Sequence, residues 1–312
     1  MKNRQKVIGI VGPTASGKTG LSLSLAQAFP IEILCMDSMQ IYRGMDIGTA
    51  KPTLAQRRMV AHHLLDIRQP EETFSVAQYA AAAREAITGI AARGHLPVLV
   101  GGTGLYLRAL SLPLSLGGTP GDTAVRARYQ AMLEEEGAQA LHDALRQVDA
   151  QTAGRLHPND TRRVIRALEV FSLTGRPFSA QVMPAYDDSP YDMLLYARDW
   201  PREALYARID RRVDEMMLQG LPEEVESLRR RGLSPQAQSM QGLGYRELLC
   251  CPSGGPALGQ AVETIKRRTR NYAKRQLTWF KADPRVTWCD AGTDGEAFAE
   301  LVRRDVRESE DR

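Results

Sequence analysis

The sequence predicts an α/β fold in which a parallel-sheet core is interrupted by a helical insertion domain, and three observations predict it. The N-terminal third alternates short apolar runs with longer stretches of helical periodicity, as βαβ units do. Residues 112–122 are rich in Gly, Pro and Ser and mark a boundary. Residues 123–173 then have helical periodicity and many charges but no convincing strand. We therefore predict a core of residues 1–116 and 192–312, with a helical C-terminal part, and an insertion of residues 117–191.

The predicted core elements are strands, identified as short apolar runs, which alternate with helices, identified by helical periodicity. In chain order they are strand Val7–Val11, helix Lys18–Phe29, strand Ile31–Met36, helix Val76–Arg93 and strand Pro97–Val100. A turn-rich stretch, Pro177–Pro190, closes the insertion, and Met193–Ala197 gives one more strand. From Pro201 onward the chain is predicted to be helical.

Arginine dominates the positively charged residues. Lys and Arg number 41 against 37 Asp and Glu, so the net charge is only +4 and a polycation of the histone type is excluded. Seven of the 41 cations are lysines and the others are arginines. Arginine grips phosphate with a planar fork and stacks on bases, which is compatible with phosphate or nucleic-acid ligands. A GC-rich genome, whose codons favour arginine, is the simpler explanation of the composition alone.

Cysteines and apolar runs indicate the cellular compartment. The four cysteines form no Cys-x-x-Cys pair and have no His at zinc-finger spacing, so we expect neither disulfides nor structural zinc. The apolar run Val7–Val11, behind the basic N-terminus, is broken by Gly12 and Pro13. It is far shorter than the roughly 20 residues that a membrane span needs. We expect a cytoplasmic protein without a membrane partner.

Residues 12–19 match the phosphate-loop pattern G-x-x-x-x-G-K-[ST], between a predicted strand and a predicted helix. In that context, backbone N–H groups and the positive helix end converge on phosphate oxygens, Lys18 adds a charge, and the Thr19 hydroxyl can ligate Mg²⁺. This context argues against a Gly-rich turn that only resembles the pattern. The motif indicates a polyphosphate ligand but does not specify a nucleoside triphosphate. Its residues are Gly12, Pro13, Thr14, Ala15, Ser16, Gly17, Lys18 and Thr19.

Asp37 and Ser38 follow the second predicted strand, at the edge where open parallel sheets bind their ligands. From the sequence alone, Asp37 could be a Mg²⁺ ligand, a general base, or a helix-capping or turn residue. Its position beside the phosphate loop favours a functional role. An ordinary aspartate, with a reference pKa of about 3.9, is ionised at neutral pH and can accept a proton or hold a metal.

The strand before Gly101 ends without a carboxylate. In many P-loop ATPases and GTPases the corresponding strand ends in an acid that helps to hold Mg²⁺. Here Gly101-Gly102-Thr103-Gly104 follows Val100, which lets a substrate approach the backbone and offers the Thr103 hydroxyl as a hydrogen-bond partner. The pattern weakens a motor or switch function and leaves a small-molecule kinase or another group transferase.

Residues 266–281 carry seven cations and no acid. On a helical projection, we expect one apolar face to dock on the core and one basic face to bind phosphate backbones, with an ordinary solvated face as the alternative. A smaller cluster of the same kind is Arg162, Arg163 and Arg166. The apolar face carries Val262, Ile265, Tyr272 and Trp279, and the basic face carries Arg267, Arg270, Lys274 and Lys281.

Several ordered segments together resemble the bacterial tRNA dimethylallyltransferases, also called tRNA isopentenyltransferases. The resemblance covers nearly the whole chain and adds specificity that the phosphate loop alone lacks. The segments are Gly-Pro-Thr-Ala-Ser-Gly-Lys-Thr at 12–19, Asp-Ser-Met-Gln-Ile-Tyr at 37–42, Gly-Met-Asp-Ile-Gly-Thr-Ala-Lys-Pro at 44–52, His-His-Leu-Leu-Asp-Ile at 62–67, Leu-Val-Gly-Gly-Thr-Gly-Leu-Tyr at 99–106, His-Pro-Asn-Asp at 157–160, Arg-Ala-Leu-Glu-Val at 166–170, Gly-Leu-Gly-Tyr-Arg-Glu at 242–247 and Tyr-Ala-Lys-Arg-Gln-Leu-Thr-Trp-Phe at 272–280.

The resemblance implies a P-loop NTPase-like core and a monomeric, Mg²⁺-dependent enzyme. It would transfer the dimethylallyl group of dimethylallyl diphosphate to N6 of the adenosine 3′-adjacent to the anticodon in tRNA, releasing pyrophosphate. Asp37 would be the general base, Thr103 would contact substrate at the reacting centre, and Thr19 would hold Mg²⁺. The diphosphate would be bound by the phosphate loop with Arg208 and Arg212. The residues implied in contacts with the anticodon stem-loop are Asp37, Ser38, Met39, Gln40, Thr103, Arg126, Arg162, Arg163, Arg166, Gly242, Gly244, Arg246, Arg267, Arg270, Lys274 and Arg275.

Three rival functions use the same features. A small-molecule or nucleotide kinase would use the phosphate loop for ATP. A prenyltransferase of the same chemistry would act on free adenine nucleotides. A non-enzymatic RNA-binding protein would use the nucleotide as a conformational switch, and the missing acid after Val100 argues against it.

Overall fold

The computed structural model describes residues 4–112, 121–180, 186–251 and 256–310. Six strands form one sheet in the order β3-β2-β4-β1-β5-β6, and all neighbouring pairs are parallel. The prediction of an α/β fold with a parallel sheet is confirmed. The strands are β1 (Gln5–Ile10), β2 (Ile31–Cys35), β3 (His62–His63), β4 (Leu96–Val100), β5 (Tyr191–Asp199) and β6 (Val286–Asp290). The helices are α1 (Lys18–Ala28), α2 (Leu54–Met59), α3 (Val76–Ala92), α4 (Gly104–Ser111), α5 (Thr123–Val148), α6 (Ala150–Ala153), α7 (Thr161–Thr174), α8 (Arg202–Leu218), α9 (Leu221–Arg230), α10 (Tyr245–Leu249), α11 (Pro256–Lys281) and α12 (Gly295–Glu310).

Alternate strand residues point to opposite sides of the sheet, and both faces are buried by packing against helices. On one side Val7, Leu99 and Leu195 pack with apolar residues of α3, α4 and α11. On the other side Ile8 and Val98 pack with residues of α1 and α12. The central strand β1 pairs with both β4 and β5, so the loop that follows it emerges from the middle of the sheet.

The chain divides into two compact units, Met1–Ser111 with Pro190–Arg312, and Leu112–Ser189. The predicted boundary between residues 116 and 117 lies outside the described residues. The second predicted boundary, between residues 191 and 192, falls inside β5, whose first residue pairs with Gln5. Within the smaller unit, α5 and α7 pack through leucines and valines around the buried Leu141 and Leu168.

The prediction that the chain is helical from Pro201 onward is wrong at one place, because β6 is a strand. Only Val286 and Cys289 of its five residues are buried, so this edge strand lacks the continuous apolar run that identifies the inner strands. The two-residue strand β3 was also not predicted, since it is too short to show any period. Among the described residues, no helix is long and apolar enough to cross a membrane.

Candidate active site

The phosphate loop connects β1 to α1 at the carboxyl edge of the sheet. Gly12 and Gly17 have φ angles of +121° and +87°, a left-handed region that favours glycine, and Gly17 caps α1. The Lys18 ammonium folds back and donates to the carbonyls of Gly12 (3.1 Å) and Pro13 (2.6 Å). The pKa of Lys18 is lowered to about 7, mainly by burial and also by the positive charge of Arg212, while the negative charge of Asp37 acts in the opposite direction.

Asp37 and Thr103 meet where β2 and β4 end. Asp37 Oδ1 accepts from the backbone N–H groups of Met39 (2.8 Å) and Gln40 (3.4 Å), so this oxygen shapes the turn. Thr103 Oγ1 accepts from Ser38 N–H at 3.2 Å, and Thr103 N–H donates to the Met36 carbonyl at 3.2 Å. The two loops are therefore held together by the Thr103 hydroxyl and by one backbone hydrogen bond, with one Asp37 oxygen already engaged.

Gln276 of α11 links the phosphate loop to the loop after β4. Its Oε1 accepts from Thr14 N–H at 2.9 Å, and its Nε2 donates to the Gly102 carbonyl at 2.9 Å. A methyl group on Gly102 would lie 2.0 Å from this Nε2, so only glycine fits there. We did not single out Gln276 from the sequence, although it belongs to the segment at 272–280.

Tyr272 lies one helical turn before Gln276 and faces the same loops. Burial raises the pKa of its phenol, and the negative charge of Asp37 raises it further; hydrogen bonding with Thr103 and Gln276 acts in the opposite direction. The phenol is therefore a neutral hydrogen-bonding group beside Asp37.

The two arginines predicted to bind diphosphate occupy different positions. Arg212 lines the cavity beside Lys18 and Asp37, and burial is the main cause that lowers the pKa of its guanidinium. Arg208 instead braces the outer side of the phosphate loop, where its Nε donates to the Ala15 carbonyl at 2.9 Å. Its guanidinium stacks on Trp200, whose Nε1 donates to the Ser16 carbonyl at 3.1 Å.

A cavity of about 580 Å³, a size typical of small-molecule sites, is lined by several of these residues, among them Lys18, Arg212 and Asp37. At one end it is lined by the phosphate loop from Thr14 to Thr19. Asp37, Tyr272 and Gln276 line it further along. The apolar part of its wall comes from Val213, Met216, Leu221, Leu243 and Ile265.

The loop of residues 46–50 forms another part of the wall and is fixed by Glu224 of α9. The Glu224 carboxylate accepts from the backbone N–H groups of residues 46, 47 and 48 at 2.9, 2.9 and 3.2 Å. It also accepts from the Tyr245 hydroxyl at 2.5 Å. Gln40 completes the wall by donating to the carbonyls of Thr49 and Ala50. Glu224 has no sequence signal beyond its place in an acid-rich stretch.

The oxygen donors of the cavity fit Mg²⁺. The Thr19 hydroxyl and the Asp37 carboxylate line the same space, and both are hard oxygen ligands. Within the described ranges, no group of three or more His, Cys, Asp or Glu could form a metal cage. A site of this kind suits Mg²⁺ that is shared with substrate phosphates, which is its usual mode of binding.

The residues predicted to contact tRNA separate into three groups. Ser38, Met39, Gln40, Gly242, Gly244 and Arg275 line the cavity. Arg246, Arg267 and Lys274 are exposed, with no ion pair to any other residue that the structure describes. The remaining core cation, Arg270, pairs with Asp210 at 2.5 Å and is half-buried.

The predicted basic face of α11 is therefore less free than its composition indicates. Of the seven cations in residues 266–281, four pair with carboxylates: Lys266 with Asp214 and Glu263, Arg268 with Glu247, Arg270 with Asp210, and Lys281 with Asp199. Trp279, which was placed on the docking face, is 36% exposed. Its ring packs on Gly104 of α4, where a methyl group would lie 2.3 Å away.

The arginines of the insertion are mostly engaged within their own unit. Arg126 and Arg166 both bind the buried Glu169 carboxylate, at 3.1 and 2.8 Å. Arg163 pairs with Asp160 at 3.3 Å. Arg162 is exposed and, among the described residues, has no ion pair.

Comparison with known proteins places this site in a family. Residues 40–283 match the family model described as IPP transferase. The chain is 49% identical over 287 residues to tRNA dimethylallyltransferase 1 of Trichlorobacter lovleyi, covering 91% of this chain and 93% of the relative. It is 47% identical over 303 residues to tRNA dimethylallyltransferase of Geobacillus thermodenitrificans, covering 97% and 96%.

Two solved structures have the same fold. The full-length tRNA isopentenylpyrophosphate transferase of Bacillus halodurans superposes with a TM-score of 0.73 at 43% identity, covering 98% of this chain and 96% of that one. A eukaryotic dimethylallyltransferase acting on tRNA superposes with a TM-score of 0.80 at 29% identity, covering 98% and 80%. With a phosphate loop, an aspartate and an apolar wall around one cavity, and with relatives matched over almost their full length, the chain belongs to the IPP transferase family of tRNA dimethylallyltransferases.

Proposed function

We propose that the protein transfers the dimethylallyl group of dimethylallyl diphosphate to N6 of the adenosine 3′-adjacent to the anticodon in tRNA, releasing pyrophosphate. The observation that carries the proposal is the single cavity in which a phosphate loop, a carboxylate and an apolar wall adjoin. A diphosphate, an amine that loses a proton and a short hydrocarbon chain each find a matching surface there.

The diphosphate end of the substrate would bind at the N-terminus of α1. The backbone N–H groups there, with Lys18 and Arg212, offer positive charge to an anion that gains charge as its ester bond breaks. Mg²⁺ held by the Thr19 hydroxyl would supply further positive charge to the departing pyrophosphate. Because its free pKa is only about 7, Lys18 becomes fully charged when the anion binds beside it.

Asp37 would act as the general base. The N6 lone pair attacks the C1 carbon of the dimethylallyl group, the C1–O bond breaks, and its electron pair leaves with pyrophosphate. The N6 proton moves to Asp37, whose Oδ1 is held by two backbone N–H groups, so we assign Oδ2 to the incoming proton. A positioned base of this kind contributes about 10²–10⁴ to the rate.

The adenosine must leave the anticodon loop to reach Asp37, at a cost of a few kcal/mol. Partly unstacked loop bases are favourable for this step. Gln40, Gly242 and Gly244 line the same cavity and would contact the extruded base, while Arg267 and Lys274 would hold the RNA backbone. The proposal includes action in the cytoplasm and as a monomer.

One incubation tests the proposal and its rivals. Purified protein is given labelled dimethylallyl diphosphate and Mg²⁺, together with either bulk tRNA or AMP, and a parallel sample receives ATP. We expect label in tRNA and unlabelled AMP. Label in AMP would indicate a prenyltransferase of free nucleotides, and ATP hydrolysis without label transfer would indicate a kinase or a switch.

A further inference from the structure

Arg198, at the end of β5, is a charged side chain against the phosphate loop that has no role in the proposal above. A methyl group on Gly17 would lie 2.7 Å from Arg198 Nη1 and 3.9 Å from Arg208 Nη2, so both guanidinium groups lie against the loop at this residue. Arg198 Nη2 donates to the Thr293 carbonyl. Its Nε is buried and has no hydrogen-bond partner among the described atoms.

The positive charge beside Gly17 is not paired with a carboxylate of the described residues. Arg198, Arg208 and Arg212 form no ion pair with any carboxylate in the part of the chain that the structure describes. Burial lowers the pKa of Arg198, and the neighbouring charge of Arg208 lowers it further. Arg198 and Arg208 are both partly buried, and neighbouring partly buried cations repel each other unless an anion compensates them.

We propose that Arg198 belongs to the anion site, where it adds positive potential to the diphosphate held by the phosphate loop. It acts through its charge at the Gly17 end of the loop, so it is a positioning residue and not a catalytic one. The inference rests on the proposed function, which supplies the diphosphate. A purely structural role is the alternative: Arg198 would only tie β5 to the turn at Thr293.

The two roles predict opposite behaviour of neutral variants. Arg198→Met removes the charge and the bond to Thr293, whereas Arg198→Gln removes the charge but keeps a donor. Arg198→Lys keeps the charge. The matched control is Arg202→Met, an exposed arginine on α8 that packs over the ring of Tyr206.

Inorganic pyrophosphate binding is measured by calorimetry at two salt concentrations, and the melting temperature is measured without ligand. We expect Arg198→Met and Arg198→Gln to bind pyrophosphate about tenfold more weakly, with a smaller salt dependence. Their unliganded melting temperatures should not fall, because an uncompensated charge has been removed. Arg198→Lys should keep most of the affinity, and the control should keep all of it.

Wild-type affinity in Arg198→Gln, or a loss in Arg198→Met that Arg198→Gln restores, would overturn the inference in favour of the structural tie. A labelled-prenyl assay with tRNA runs in parallel. If the wild-type protein binds pyrophosphate but transfers no label, the proposed function fails while the role of Arg198 in the anion site stands. If label is transferred and the neutral variants bind pyrophosphate normally, only the inference about Arg198 fails.

Discussion

Gln276 has one side-chain oxygen and one side-chain nitrogen, and each is bonded to a different loop of the site. The phosphate loop, Asp37 and Thr103 could be predicted as candidates because their residue types stand at recognisable motif positions. In the structure they line or adjoin one cavity. The roles of Gln276 and Glu224 could not be predicted. Each depends on partners more than 170 residues away, which local patterns do not specify.

Replacing Gln276 with Glu should impair turnover. The carboxylate can still accept from Thr14 N–H, but it cannot donate to the Gly102 carbonyl, and it places a negative charge beside the diphosphate. We expect kcat/KM for dimethylallyl diphosphate to fall by about 100-fold, measured by label transfer to tRNA. Gln260→Glu makes the same change at an exposed position of α11 and should be neutral. Equal activity of both variants would contradict the bridging role.

Asp37→Asn should reduce turnover by about 10²–10⁴, because the amide cannot accept the N6 proton. The amide oxygen can still accept from Met39 and Gln40 N–H, so the turn should persist. Single-turnover transfer and tRNA affinity are measured together. Near-normal turnover would show that Asp37 is not the base, and lost tRNA binding would show that the turn has collapsed.

Pyrophosphate binding should depend on pH through Lys18. A lysine whose pKa lies at about 7 loses its charge as the pH rises through that value, and a bound anion restores the charge. Affinity should therefore fall above pH 7, and binding should take up protons. Calorimetry in buffers of different ionisation enthalpy measures the uptake. Lys18→Met is the control, because any proton uptake that it shows comes from pyrophosphate itself. Identical proton uptake by the variant and the wild-type protein would contradict a Lys18 pKa of about 7.

At the scale of elements, α11 has one face buried in the core and another face exposed to solvent. Ala273, Gln276 and Phe280 are buried, while Arg267 and Lys274 are exposed. The helical period was predicted from the sequence, because seven cations without an acid leave a clear pattern. The sequence did not show which of these cations are free. The partners of the paired cations, Asp210, Asp214 and Glu247, belong to other helices.

Neutralising the free cations should weaken tRNA binding. Arg267→Gln with Lys274→Gln removes the two proposed contacts to the RNA backbone, so affinity should fall by roughly one order of magnitude. The slope of log K against log salt should decrease by about 1.4–1.8, measured by filter binding over a salt series. The control is Arg303→Gln with Arg307→Gln on α12. The buried side of this helix packs on the other face of the sheet. An unchanged slope in the α11 variant would make this face ordinary solvated surface.

At the scale of the whole molecule, the parallel sheet followed from the apolar runs of β1, β2, β4 and β5, which are buried on both faces. The order of the strands in the sheet could not be predicted from these runs. The strands on either side of β1 come about 90 and 185 residues later in the chain. The missed edge strand β6 has only two buried residues, so it left no apolar run to detect.

Ligand binding should stabilise the whole core, because the anion site joins β1, α1, α8 and α11. At 100 times its dissociation constant, pyrophosphate adds about 2.7 kcal/mol to the free energy of unfolding. We expect the melting temperature to rise by about 5–10 °C, measured by scanning calorimetry. Lys18→Met should show a much smaller rise. Equal shifts in both proteins would place the bound anion elsewhere.

The hydrogen bond from Thr14 to Gln276 spans 262 residues. During synthesis, the phosphate loop leaves the ribosome among the first residues, but the side chain that completes it is among the last. A nascent chain that lacks α11 can pair β1 with β4 and β5, yet its Thr14 N–H still lacks this partner. The phosphate loop therefore gains its full set of hydrogen bonds only after almost the whole chain has been translated.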